Sequence, residues 1–246
     1  MKITLLGTGD SVGTPKIGCN CRTCREALGG GRTRRTRFSI MLEYSGRVVL
    51  VDTSPDLRWQ LIRNGVSHVD AVIWTHSHYD HYAGFGDFYR VQNNVDVYGE
   101  KKTLDYILHY LHFMSYVRHD VELLKPFRIG EVNFTLFPVT HYCIGTPCGI
   151  IVEWNGKKLV ISGDTNKKIP DESLKLIKNP DVFIVDAIVP PEYKVKKHMN
   201  AEEAMELSKE IGAKKTILTH LSHLYLPHDE ASEIYPLGYD QMVIEL

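Results

Sequence analysis

The chain has 246 residues, of which 43% are hydrophobic and 24% charged, with a formal net charge of −1. That is enough apolar chain to bury one substantial core, and the balanced charge excludes both a basic field for non-specific nucleic-acid binding and an acidic tail. The apolar run in Met1–Gly7 is too short for a signal peptide and no stretch approaches a membrane span, so a cytoplasmic protein is expected.

From the N-terminus, Ile3 to Leu6 reads as a strand. Cys19, Cys21 and Cys24 follow within six residues, and the chain holds five cysteines in all. An odd count with this clustering suggests metal binding rather than a disulfide framework. The basic run Arg32 to Arg37 could hold a phosphate or nucleic acid, or be a solvated loop. Strands over Ser39 to Glu43 and Val48 to Asp52 are joined by a Ser45-Gly46 turn, and a helix runs from Pro55 to Arg63 before Asn64-Gly65.

The apolar strand Ala71 to Trp74 runs directly into Thr75-His76-Ser77-His78-Tyr79-Asp80-His81. In an extended loop alternate residues face the same way, so His76 and His78 can point at one metal while Asp80 and His81 turn toward a second. The alternative is a polar loop of exposed histidines. A strand near Val95 to Tyr98 precedes a helix expected over Lys101 to about Arg118; the aromatic set Tyr106, His109, Tyr110, His112, Phe113, Tyr116 and His119 that it carries would serve as core, dimer face or lid.

Strands follow at Val132 to Phe137, Gly149 to Trp154 and Lys158 to Ile161, then a helix from Glu172 to Lys178 and a strand from Val182 to Asp186. A helix over Ala201 to Ile211, a strand at Thr216 to Leu218 and a last strand near Met242 complete the chain. Three strand ends lead to further metal-ligand types, at His141, Asp164 and His220, and Asp164 is the acid placed to bridge two ions. His223, three residues on, could complete a closed Cys3His site with the cysteine cluster; three unliganded thiols are the other reading. His198 lies just before a helix N-terminus, where it could contact a phosphate oxygen or protonate a leaving alkoxide. Two similar halves without a Pro/Ser-rich linker imply one domain over residues 1–246, an α/β arrangement of two stacked sheets with helices outside.

The series His76-x-His78-x-Asp80-His81, His141, Asp164, His220 resembles the metallo-β-lactamase superfamily of hydrolases. The resemblance implies a four-layer αβ/βα sandwich, with His76, His78 and His141 on one divalent metal, Asp80, His81 and His220 on the other, and Asp164 between them. It also implies that Asp52 orients the ligand loops. Gly7-Thr8-Gly9, the cysteine loop and the C-terminal histidine pair look more narrowly like the PhnP-type phosphodiesterases, which implies a structural Zn at Cys19, Cys21, Cys24 and His223. In that branch a histidine occupies the place of His198.

Two metals about 3.5 to 4 Å apart activate a shared water as hydroxide and stabilise charge on the attacked centre. Zn, Mn or Fe all suit mixed nitrogen and oxygen ligands. Asp80, Asp164 and His198 are the expected catalytic residues, and the expected substrate is a small phosphodiester such as a cyclic nucleotide or cyclic sugar phosphate. The alternatives are a tRNA 3′-processing endonuclease of the tRNase Z type and a non-catalytic metal-binding member of the fold. Only twenty-two residues separate His141 from Asp164, where a tRNA-binding arm would lie, which argues against tRNA.

Overall fold

The computed structural model describes residues 1–246. In its first half β1 (Lys2–Gly7), α1 (Arg22–Leu28), β2 (Ser39–Tyr44), β3 (Arg47–Val51), α2 (Leu57–Arg63) and β4 (Ala71–Ile73) lead to the short α3 (Tyr79–Tyr82). A 3-10 segment over Ala83–Phe88, β5 (Val95–Gly99), α4 (Lys101–Tyr110) and β6 (Tyr116–Asp120) complete that half. The second half runs β7 (Pro126–Ile129), β8 (Val132–Pro138), β9 (Cys148–Trp154), β10 (Lys157–Ile161), α5 (Asp171–Leu176) and β11 (Val182–Asp186). It continues through α6 (Ala201–Ile211), β12 (Thr216–Thr219), α7 (His228–Ala231) and β13 (Met242–Glu245).

The strands form two mixed sheets, ordered β13-β1-β2-β3-β4-β5-β6 and β12-β11-β10-β9-β8-β7. Two of the antiparallel pairs, β2 with β3 and β9 with β10, are joined by tight hairpins. Ser45-Gly46 and Asn155-Gly156 both hold two consecutive residues at positive φ, the geometry whose twist matches the flanking strands. Parallel neighbours, β3 with β4 and β10 with β11, need crossovers, supplied by α2 and α5.

Strand alternation builds the layers. Val132, Phe134 and Leu136 of β8, Leu159 and Ile161 of β10, and Val49 and Val51 of β3 meet between the sheets. The odd residues out, Val160, Phe183 and Val185, face α6 on one side, while Leu50, Val72 and Trp74 face α4 and the 3-10 segment on the other. Two sheets face to face with helices on both outer surfaces make the expected αβ/βα sandwich. Helix α6 begins and ends where local chemistry dictates: Asn200 and Glu203 form a capping box, and Gly212 closes the helix in the left-handed region at φ 70°.

One expected element is corrected. The helix expected to reach Arg118 stops at Tyr110, and Tyr116–Asp120 is an edge strand, parallel to β5. Leu111 and Met114 are buried in a turn, so the apolar spacing continues through a segment that is no longer helical. The aromatic residues therefore do not share one face: Phe113 packs on Tyr89, and His119 stacks on Tyr98 at 4.4 Å. Strand β7 and helix α1 carried too little periodicity to be read from sequence.

Phe134 is fully buried between the sheets. Phe134→Ala is expected to destabilise the protein by about 3–5 kcal/mol, read as a lowered urea midpoint at unchanged slope.

Candidate metal centre

The ends of β3 and β4 meet at one buried carboxylate. Asp52 follows β3 with its backbone in the left-handed region, φ 59°, which few residues other than glycine adopt. Its carboxylate accepts the Thr75 amide at 2.8 Å, the Thr75 hydroxyl at 2.7 Å and His81 Nδ1 at 2.7 Å. His76 Nδ1 lies 3.0 Å from the same Thr75 hydroxyl. Both imidazoles are thus held by Nδ1 and turn Nε2 inward, the orientation that ligand histidines need.

The other loops arrive from the second sheet. His141 follows β8 and donates from Nδ1 to the Lys197 carbonyl at 3.1 Å, which leaves its Nε2 at 3.1 Å from His78 Nδ1. Asp164 follows β10 through Gly163, whose φ is +61° and where a Cβ would lie 2.5 Å from the Cys148 carbonyl oxygen, so a residue with a side chain would push the loop away. His220 follows β12, also in the left-handed region at φ 58°.

These side chains converge. Asp164 Oδ2 lies 3.6 Å from His76 Nε2, 3.4 Å from His81 Nε2, 3.8 Å from His141 Nε2 and 3.4 Å from His220 Nε2. Asp80 Oδ2 lies 3.4 Å from His81 Nε2 and 3.7 Å from His220 Nε2. Ligand atoms at 2.0–2.1 Å from a tetrahedral ion sit about 3.4 Å from each other, so the spacing is that of donors set to share an ion. They divide into His76, His78, His141 and Asp164, and into Asp80, His81 and His220, with Asp164 facing both sets. His76 Nε2, His81 Nε2 and His220 Nε2 are buried without any hydrogen-bond partner. Unpaired buried nitrogens are costly, and a divalent cation fits them.

The electrostatics agree. Burial and the neighbouring imidazoles hold His76 well below the usual histidine range. Burial opposes charge on His81 and His220 as well, yet Asp164 and Asp80 raise both, His220 to about 9. Against the effect of burial, the surrounding histidines depress the carboxyls of Asp80 and Asp164. A cluster that draws protons onto buried imidazoles to balance its carboxylates is one built for positive charge.

Asp186, at the end of β11, is the residue that sequence reasoning missed. It accepts His198 Nδ1 at 2.7 Å and stands 3.8 Å from His220 Nδ1. Its place at the end of an apolar strand matches that of Asp52 after β3, but a strand-terminal aspartate is too common a feature to single it out. His198 stacks on His220 with ring centroids 5.1 Å apart and lies 4.8 Å from the His141 ring, and one of its ring nitrogens joins the cluster with Asp164 and His220. Beside His78 opens a pocket of about 460 Å3 walled by Ser77, Tyr106, Tyr142, Cys143, Ile144 and Lys197, with the Lys197 ammonium 5.4 Å from the Tyr142 ring centroid.

The cysteines gather separately. Cys21 caps α1 and Cys24 lies inside it, which turns both sulfurs toward the C-terminal loop. Cys19 Sγ and Cys21 Sγ stand 3.5 and 3.7 Å from His223 Nδ1, and Cys24 completes the group. Sulfur and nitrogen ligands at 2.3 and 2.0–2.1 Å from Zn would sit about 3.6 Å apart. Burial pushes the Cys24 thiol up to about 11, while hydrogen bonds from Cys21 lower Cys19. The basic run does not act as a unit: Arg35 is buried on Thr8 and His228, Arg37 pairs with Asp56, and Arg32 lies over Tyr239.

A family model described as the β-lactamase superfamily domain matches residues 47–221. Over 98% of its length the chain is 30% identical to an octanoyltransferase of Porphyromonas gingivalis, covering 50% of that protein. Over 52% of its length it is 29% identical to a metal-dependent hydrolase of Staphylococcus saprophyticus, covering 59% of it. The chain thus spans about half the length of the first of these relatives and three-fifths of the second. The whole chain superposes on 97% of a crystal structure described as a new diphosphatase from the PhnP family, with a TM-score of 0.89 and 29% identity.

Asp52→Asn replaces an acceptor of three hydrogen bonds by a group that also donates, which frees His81 to rotate. Zinc affinity at the His/Asp cluster is expected to fall about 10–100-fold, measured by competition with a chromophoric chelator; unchanged affinity would remove Asp52 from this role.

Proposed function

The chain belongs to the β-lactamase superfamily and has the fold of its metal-dependent hydrolases, and from that premise we propose that it hydrolyses a small phosphodiester. The observation that carries this reading is His198, held by Asp186 through Nδ1 and so free to present Nε2 beside Asp164 and His220.

His76, His78 and His141 would hold one divalent ion, Asp80, His81 and His220 a second, with Asp164 shared. Such a pair supplies a nucleophile from water at neutral pH and offsets charge on the phosphoryl group. The chain's own residues do the rest. Asp186 fixes the His198 ring and, against the effect of burial, raises its pKa. His198 then carries a proton on Nε2 that it can donate to the leaving alkoxide or share with a phosphoryl oxygen. Lys197, next in sequence, brings a cation to the pocket beside His78, which suits an anionic substrate. Phe38, 5.7 Å from the His81 ring and 6.4 Å from that of His220, packs an apolar ring against the cluster.

The span between His141 and Asp164 supports a small substrate. It is occupied by β9 and β10, a hairpin lying in the sheet, where a tRNA-binding enzyme would carry a projecting arm. Zn at both the His/Asp cluster and the Cys3His group is the simplest loading, with Mn or Fe in the first suited by its mixed ligands.

Purified protein is expected to bind about three metals per chain, one of them resistant to chelation. It should hydrolyse bis(p-nitrophenyl) phosphate, with activity lost in His76→Ala and Asp164→Ala; retained activity in both would sink the dinuclear reading. His198→Ala should lower kcat by about 10²–10⁴-fold while metal content is unchanged.

A further inference from the structure

A second cleft, of about 650 Å3, lies between the loop over residues 12–17, the basic run and α2. That volume is in the range of small-molecule sites. Its composition is unusual for solvated surface. Val12, Ile17, Trp59 and Ile62 are all large apolar residues about half or more exposed, Ile17 almost fully, and four arginines, Arg34, Arg35, Arg37 and Arg63, line the cleft against one carboxylate, Asp56.

The arginines differ in what they have left to offer. Arg37 donates from Nε and a terminal nitrogen to the two oxygens of Asp56, at 2.8 and 2.9 Å. Arg35 is buried on Thr8, the Gly238 carbonyl and His228, and its backbone pairs with Thr14 to build the wall. Arg34 and Arg63 are exposed and enter no ion pair, so two guanidinium groups stand free at the rim. Trp59 and Arg63 are four residues apart on α2 and so lie on the same face.

The walls of the cleft lead toward the metal cluster. Gly9 bridges to both Arg37 and Leu221, so the loop that walls the cleft starts beside His220. Arg37 precedes Phe38, whose ring packs on His81 and His220, and the Arg37 guanidinium, paired first with Asp56, also feels Asp80. A phosphodiester has two ester arms, and under the proposed function the pocket beside His78 would take one of them.

We infer that the Trp59 cleft binds the other arm as a nucleoside monophosphate unit, its base against Trp59, Ile17 and Ile62 and its phosphate on Arg34 and Arg63. A free guanidinium pair matches phosphate geometry, and an exposed indole offers a face for any base. The substrate is then a phosphodiester of which one ester arm is a nucleoside carrying a second, non-scissile phosphate, a statement that rests on the phosphodiesterase reading; occupancy of the cleft does not.

Two measurements separate them. The chain has three tryptophans, of which Trp74 is buried and Trp154 half-buried, so ligand-dependent quenching reports on Trp59. AMP is expected to quench emission saturably, and ribose 5-phosphate, which has no base, is not. Trp59→Phe should abolish the quench and weaken AMP in calorimetry, and the Arg34→Ala/Arg63→Ala pair should weaken AMP about tenfold, 1.4 kcal/mol. No quench in the native protein, a quench that survives Trp59→Phe, or equal AMP affinity in the arginine pair would overturn the inference, as would saturable binding of polyglutamate without a response to AMP. With thymidine 3′-phosphate 5′-(p-nitrophenyl phosphate), whose 3′-phosphate can meet the arginines while the 5′-diester is cleaved, the arginine pair should raise KM about tenfold and lower kcat little. Absence of all phosphodiester turnover in the native protein would defeat the proposed function, while the AMP titration would still decide the cleft.

Discussion

The site rests on a carboxylate buried where two parallel strands end. Asp52 is fully buried and accepts three hydrogen bonds, two from Thr75 and one from His81. Those bonds position the start of the histidine loop and its last ligand together. A left-handed backbone at Asp52 is the local strain that this arrangement tolerates, and the strands on either side, packed between two layers of core, hold it in place. Without the packing the carboxylate would prefer water; without the carboxylate the imidazoles would have no fixed orientation.

The second half repeats the device. β11 ends in Asp186 as β3 is followed by Asp52, and each carboxylate grips a histidine by Nδ1 at 2.7 Å. In the first half that histidine is placed as a ligand; in the second it is His198, placed to touch whatever the cluster holds. The two sheets face each other so that both strand-end carboxylates sit behind one cluster. Buried nitrogens without partners on His76, His81 and His220 are the residue of this convergence, and they make the site a poor apolar core and a good cation trap. The cysteine group, apart from this cluster, ties α1 to the loop after His220 and so steadies the same edge from outside.

Much of the centre was legible because metal ligands of this kind lie at strand ends, and strand ends can be read from alternation and turns. His76, His78, Asp80 and His81 are close in sequence, and His141, Asp164 and His220 each follow an apolar run; the structure brings all seven side chains together. Asp186 was passed over because a strand-terminal acid has no distinguishing neighbour in sequence; its partner is His198, twelve residues on across a loop. The helix over Lys101 to Arg118 was overextended for a related reason. Leu111 and Met114 keep the helical spacing while the backbone turns into an edge strand, and only pairing with β5 decides which.

By itself, then, the sequence determined the ligand types, their order along the chain, the layering of the sheets and the limits of α6, because periodicity, capping and turn chemistry act over a few residues. What the tertiary structure alone decided is pairing across distance. It set which Nδ1 each carboxylate holds, the separation of Arg34 and Arg63 from the buried Arg35 and the paired Arg37, and the placing of Trp59 and the loop over residues 12–17 on one cleft. Those contacts join residues far apart in the chain, and their geometry is set by how two sheets and their helices pack, which no local pattern encodes.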